Sequence, residues 1–364
     1  VDPGTDCVNG PPVNRRLPGS LLLFPEYDNR QGAMTFLTVT NTNCDVLNGT
    51  VQIEYRYIRE GTCIKEDRSA TLTPCDTLTL LTSSQGLQQG RGYAYVYAKS
   101  LQSTSANPGG EPIAWNHLIG QEIVIDAVSQ HVYSMNAVSF RSFLNDGDPT
   151  EFDNDGIRDL DGAEYTQAPD KLLIPRFLAQ FQFLHGGGEG GPNGEPGSEP
   201  IPVLLYPSEL ILISLSGGRG FTSSPLFPVL GTSADFLIYN DNEVAFSAEY
   251  TFSCWAKPTL LEISGAFSQD FLLSTDNDPG EVNTSGNPFF LNESGWFSVD
   301  GGVANSVADA ILDPAIYAVL VENSAFFNED GSADLPFEYC SQLNGDLLPI
   351  SILGDSPTQV GDNQ

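Results

Sequence analysis

The sequence predicts an all-β protein: two tandem antiparallel β-sandwich domains of the immunoglobulin-like or jelly-roll-like kind. Three observations predict it. Apolar and polar residues alternate with period two, short apolar runs recur between Gly, Pro, Asn and Asp clusters, and a loose internal repeat flanks a Gly/Pro/Glu tract near the midpoint. A chain of 364 residues holds about two domains at ~150 residues each.

In chain order, the runs "SLLLF" and "MTFLTVT" lead to "VQIEYRY", where Val51, Ile53, Tyr55 and Tyr57 share one face and Gln52, Glu54 and Arg56 the other. "DTLTLLT" and "GYAYVYA" follow. Beyond the tract come "ELILISL", "ADFLIYN", the alternating set Phe246, Ala248, Tyr250, Phe252 and Cys254, and "YAVLV". Such strands are half-buried and antiparallel. "SVADAIL" has the pattern of one or two helical turns.

Residues 186–200, "GGGEGGPNGEPGSEP", offer no side chains able to pack and read as a linker or long exposed loop. This gives an N-terminal sandwich over 1–185, the tract, and a C-terminal sandwich over 201–364. The repeat is read by matching "TFLTVTNTN" and "VQIEYRY" with "DFLIYNDN" and "FSAEYTF". "TLTLLTSS", "GYAYVYA" and "EPIAWNHLI" are then matched with "DFLLSTDN", "GWFSVDG" and "DPAIYAVLV", all as strands.

Lys and Arg total 15 against 47 Asp and Glu, a formal net charge of -32. Such a surface repels phosphate backbones and anionic headgroups, so no nucleic-acid partner is expected. No stretch approaches 18 uninterrupted apolar residues, so no membrane insertion is expected either. The opening "VDPGTD" reads as a mature N-terminus left by signal cleavage.

Six cysteines, Cys7, Cys44, Cys63, Cys75, Cys254 and Cys340, show no CxxC or Cys/His spacing, which favours disulfides over zinc, haem or a redox dithiol. The pairs expected are Cys63–Cys75 as a hairpin clasp, Cys7–Cys44 at the N-terminal arm and Cys254–Cys340 in the second half. Buried free thiols are the alternative. An extracellular or cell-surface location follows.

The succession "LPGSLLLFPEYDN", "TVTNTN", "LTPCDTLTLLT" and "GRGYAYVYA" resembles a group of exported bacterial proteins that share a Leu-rich FPxY strand, an Asn-Thr turn and an LTPxD strand. The resemblance covers about the first 130 residues. It implies secretion and β-structure, and transfers no catalytic or binding residue.

The best ligand-like pattern is "DGDPTEFDNDGIRDLDGAEY", an acidic calcium-like loop at 146–164. Glu151, Asp153, Asp155 and Asp159, with Asp161 and Glu164 in reach, alternate as carboxylates do around Ca²⁺, and Gly156 permits the turn. The opposing reading is a solvated acidic turn. Nucleotide, flavin and haem motifs are absent, as are HExxH and a G-x-S-x-G elbow around His117, His131 and His185, so no enzyme is expected. Trp115, Trp255, Trp296 and the stripe Tyr93, Tyr95 and Tyr97 read as core; the three tyrosines, if exposed, would form a ligand platform or subunit interface.

Two functions remain. The first is a secreted structural subunit of a filament, sheath or surface layer, with itself as partner, in which Leu347, Leu348, Ile350, Ile352 and Leu353 add a strand to the next subunit. The competing reading of that segment is an intramolecular last strand. The second function is a monomeric calcium-dependent adhesin or carbohydrate-binding protein with a glycan ligand.

Overall fold

The computed structural model describes residues 17–102, 110–127, 131–152, 158–160, 162–180, 207–215, 231–240, 243–275, 294–303, 315–323, 326–327, 333–334 and 340–344. Eight strands form the first sandwich: β1 (Leu21–Asp28), β2 (Ala33–Asn41), β3 (Val51–Arg59), β4 (Lys65–Leu72), β5 (Thr77–Leu81), β6 (Arg91–Lys99), β7 (Leu118–Asp126) and β8 (His131–Asn136). One sheet runs β4-β3-β6-β1, extended by the short β9 (Val138–Phe140); the other runs β5-β2-β7-β8. Every pairing is antiparallel.

The second sandwich contains β10 (Lys171–Leu178), β11 (Glu209–Ser214), β12 (Thr232–Asn240), β13 (Ala245–Phe252), β14 (Trp255–Ala256), β15 (Ser294–Val303), β16 (Ile316–Asn323) and, after the hairpin of β17 (Phe326–Phe327) and β18 (Ala333–Asp334), β19 (Cys340–Asn344). Its sheets run β13-β12-β15-β10 and β14-β11-β16-β19. Taken in chain order, these are the same two strand orders as in the first sandwich. β10 therefore stands where β1 stands, β12 where β3 stands and β15 where β6 stands.

Side-chain register supports the equivalence. "LLFPEY" in β1 and "LLIPRF" in β10 each break register at the proline, between Phe24 and Tyr27 in one case and Ile174 and Phe177 in the other. Tyr27 then opposes Gly92, and Phe177 opposes Gly295. A Cβ on Gly92 would collide with the Ile58 carbonyl oxygen, and one on Gly295 with that of Tyr239, so both close approaches require glycine.

The tandem repeat therefore exists, but two of its matches shift by one strand. β12 and β13 correspond to β3 and β4 rather than to β2 and β3. Alternation alone cannot choose between them, because any two half-buried strands match at period two. "DFLLSTDN" is not a strand: α2 (Gln269–Ser274) follows the short α1 (Leu260–Ile263), which Thr259 and Glu262 begin with a reciprocal capping box. Both helices lie between β14 and β15, where the first sandwich carries a 3₁₀ turn at Thr82–Gln85. "SVADAIL" lies outside the described residues.

The boundary at 185/201 also moves. β10 precedes the tract 186–200 yet pairs with β15, so the tract interrupts the second sandwich at the position of the β1–β2 turn.

The two sandwiches are stacked. Leu22, Phe24, Ala94 and Val96 pack inside the first with Leu37 and Val39, whereas Leu21, Leu23, Tyr93, Tyr95 and Tyr97 face the other way. There they meet Ile211, Ile213, Trp255, Tyr317 and Val319, while Leu210, Leu212, Ile316 and Ala318 of the same strands turn into the second sandwich. The tyrosine stripe is thus core, at 0–1% exposure. β1, β6, β11 and β16 are buried on both faces, which is why their sequences run apolar almost without a break.

Two disulfides differ from the expected pairs: Cys44–Cys75 and Cys63–Cys254. Cys63 and Cys75 cannot meet because the eight-residue β4 separates them by about 26 Å. Cys44 follows β2 and Cys75 precedes β5, strands that pair with each other, and the Cys75 N–H donates to the Asn43 carbonyl at 2.9 Å. This excludes Cys7–Cys44; Cys7 itself lies outside the described residues. Cys254–Cys340 fails because Cys254 bonds Cys63 across the junction between the sandwiches.

Candidate functional site

A polar cluster is buried where the sandwiches meet. Pro25 interrupts β1 and the register breaks there, so Glu26 leaves the ladder and enters the junction at 1% exposure. From the second sandwich, β14 brings Trp255 and, just beyond its end, Lys257. The Trp255 indole donates to the Pro25 carbonyl at 2.8 Å, and Lys257 Nζ lies 3.0 and 2.9 Å from the two Glu26 carboxylate oxygens.

Nζ also donates to the Tyr133 hydroxyl at 2.7 Å, and that hydroxyl donates to Glu26 Oε2. Glu209 closes the far side, 3.4 Å from Nζ. Glu122, wholly buried, accepts the Glu26 backbone N–H at 3.2 and 3.3 Å.

Electrostatics sort these groups. Burial opposes the Lys257 charge, but Glu26 and Glu209 outweigh it and hold the ammonium protonated. Burial, reinforced by Glu26, pushes the Glu122 carboxyl well above its usual range. In the second sandwich the bulge holds Arg176 instead, paired with Glu322 at 2.7 Å and half exposed.

Sequence reasoning missed this cluster. Its one available signal was scarcity: Lys65, Lys99, Lys171 and Lys257 are the only lysines in a strongly acidic chain.

Of the calcium-like set, Glu151 and Asp159 are described; Asp153, Asp155 and Asp161 lie outside the described residues. Arg158 donates to Glu151 at 2.5 Å and lies 5.1 Å from the centroid of the Tyr97 ring. Glu164, 2% exposed, accepts the N–H groups of Phe152 at 3.1 Å and Asp159 at 3.2 Å, and burial raises its carboxyl to about 7. The described part of the loop is thus fastened by an arginine and backbone N–H groups. Among the described residues, no cluster of three His, Cys, Asp or Glu has metal-binding geometry. Leu347, Leu348, Ile350, Ile352 and Leu353 lie outside the described residues.

A second feature lies on the outer face of β13-β12-β15-β10. Trp115 and Trp255 are buried, at 6% and 1%, but Trp296 is 37% exposed and stacks on Tyr239, rings 4.1 Å apart and 11° from parallel. Leu237 and Leu178 beside them are 41% and 39% exposed. One step along the strands, Asp235 opposes both Glu249 and Asp300, and burial with those two neighbours raises its carboxyl. Lys171 pairs with Asp300 at 3.0 Å.

No family model matches the chain, and no curated protein matches it. Among solved structures, one described as "Crystal Structure of Thermotoga maritima 1070" is similar at 14% identity over 34% of this chain and 96% of that one, with a TM-score of 0.25. A likeness at that level defines no common fold and no function. No helix among the described residues is long and apolar enough to cross a membrane.

Proposed function

We propose that the protein is a secreted structural subunit of an extracellular assembly that grows head to tail, sandwich upon sandwich. The observation carrying this reading is the inequality of two equivalent sheet faces. In the first sandwich, Leu23, Tyr93, Tyr95 and Tyr97 are covered by β11 and β16 of the second. In the second, the same positions are Leu173, Trp296, Ser298 and Asp300, and the described chain lays no further sheet over them.

A second copy supplies the missing layer with the outer face of β5-β2-β7-β8, where Thr38, Thr40 and Gln121 adjoin the exposed Ile119. That face is rich in neutral hydroxyl groups, so it meets the acids of the other without like-charge repulsion. A contact between two different faces does not close on itself and propagates as a fibre. The two disulfides fit an oxidising compartment. At a net charge of -32, subunits associate when salt or cations screen them.

Negative-stain microscopy and sedimentation of the native protein test the reading, with and without EDTA and at low and moderate salt. Ordered filaments or sheets that Trp296→Asp disperses are the expected outcome. A monomer under every condition would sink it and leave the second reading, a glycan-binding protein, which the exposed Trp296–Tyr239 pair favours and which calorimetry against glycans would then examine.

A further inference from the structure

We propose that Lys257 and Glu26 condense into an intramolecular amide, so that the mature protein carries a covalent cross-link between its two sandwiches beside the Cys63–Cys254 disulfide. The geometry of the pair is independent of the assembly reading. The amine and both carboxylate oxygens already touch, at 2.9 and 3.0 Å, so no approach has to be made against chain entropy.

The Tyr133 hydroxyl bridges them in the direction the reaction needs, accepting from Nζ and donating to Oε2. It can pass an ammonium proton to the oxygen that must leave. The pair thereby becomes a neutral amine and a carboxylic acid. Nζ then attacks Cδ, the Nζ–Cδ bond forms, and a second nitrogen proton joins the departing Oε2, which leaves as water when the Cδ–Oε2 bond breaks. The sum is ammonium plus carboxylate giving secondary amide plus water, with no change in oxidation state.

Three surroundings favour that direction. Glu26 is 1% exposed and Tyr133 6%, and the Lys257 side chain is 8% exposed, so the expelled water has little path back. Condensation removes two buried charges whose desolvation a salt bridge only partly offsets. Glu122 accepts the Glu26 backbone N–H at 3.2 and 3.3 Å and so fixes the bulge that presents the Glu26 carboxylate to Nζ. The matching bulge of the second sandwich has none of this, since Arg176 is half exposed and a guanidinium does not condense in this way.

Intact-mass spectrometry of the native protein, after complete disulfide reduction, decides the matter. The expected mass is below that of the sequence by one water, with proteolysis releasing the Lys257 peptide joined to the Glu26 peptide. A wild-type mass equal to the full sequence overturns the proposal. Lys257→Arg keeps the positive charge, and its folding is checked by circular dichroism; it should lose the deficit completely. A deficit persisting there would place the lost water elsewhere, as in a succinimide, and would also overturn it. Tyr133→Phe should leave most molecules unlinked when freshly folded; linkage as complete as in the wild type would refute the relay.

Discussion

Trp296 occupies in the second sandwich the position that Tyr93 occupies in the first: each follows the glycine opposite an aromatic of the proline-bulged strand, Gly92 against Tyr27 and Gly295 against Phe177. Yet Tyr93 is wholly buried and Trp296 is 37% exposed. The difference is what lies above. Tyr93 faces the second sandwich; Trp296 faces outward from the last layer described.

Opposite mutational effects follow at these two sites. Tyr93→Ala should cost about 3–5 kcal/mol of stability by opening a cavity in the shared core. Trp296→Ala should change monomer stability by about 1 kcal/mol or less while weakening self-association. Denaturant unfolding of dilute protein gives the first quantity and sedimentation at rising concentration the second. A Trp296→Ala variant that assembles normally would remove that face from the contact.

The disulfides should separate by access and by loop length. Cys44 and Cys75 are exposed, whereas Cys63 and Cys254 are wholly buried. Mild reductant without denaturant should therefore open Cys44–Cys75 first, as timed alkylation would show. Removing Cys63–Cys254 by paired serine substitution should cost more stability, because it closes 191 residues rather than 31. Chain entropy puts the difference at about 1.5 kcal/mol. Equal losses would mean that the unfolded chain is already confined across the junction.

These elements also show what was legible in the sequence. Alternation located the strands, since "VQIEYRY" and "GYAYVYA" must expose one face of each strand to a core. It could not say which strand repeats which. The marks that do so, the shared "LL-x-P-x-aromatic" bulge at 22–27 and 172–177 and the Gly-aromatic step of β6 and β15, are single-residue events outside any period. The tract 186–200 resembled a linker because composition reports whether a segment can pack, not whether a sheet closes around it. The Cys63–Cys254 disulfide and the Glu26–Lys257 pair were unreadable for a related reason: they join residues 191 and 231 apart that only the stacking of the sandwiches brings together, while Cys44–Cys75 depends on the pairing of β2 with β5.

The paired glycines offer a test of the repeat itself. Gly92→Ala and Gly295→Ala should each cost about 3 kcal/mol or more, since the new Cβ meets a neighbouring backbone carbonyl that cannot move without breaking the ladder. Gly147→Ala, in open space at φ +90°, should cost only about 1 kcal/mol, through backbone strain alone. Thermal unfolding of the three variants ranks them. If Gly92 and Gly147 proved equally tolerant, close strand approach would not be what fixes the glycine of β6.

Glu164 should give the protein a signature in its stability against pH. Burial raises its carboxyl to about 7, against the backbone N–H groups of Asp159 and Phe152 and the charge of Arg158, which pull the other way. The unfolded chain ionises this group near 4.5. Between those values the folded state keeps a proton that the unfolded state has lost, so stability falls as pH rises through the window and is flat on either side. Other carboxylates titrate there too, and Glu164→Gln isolates this one: its amide oxygen can still accept an N–H, and it does not ionise. The melting temperature of the wild type should therefore drop relative to Glu164→Gln by about 2 °C or more from pH 4.5 to pH 7.5. A gap constant across that range would mean that Glu164 is already ionised at pH 4.5 and that Arg158, not a retained proton, balances the loop.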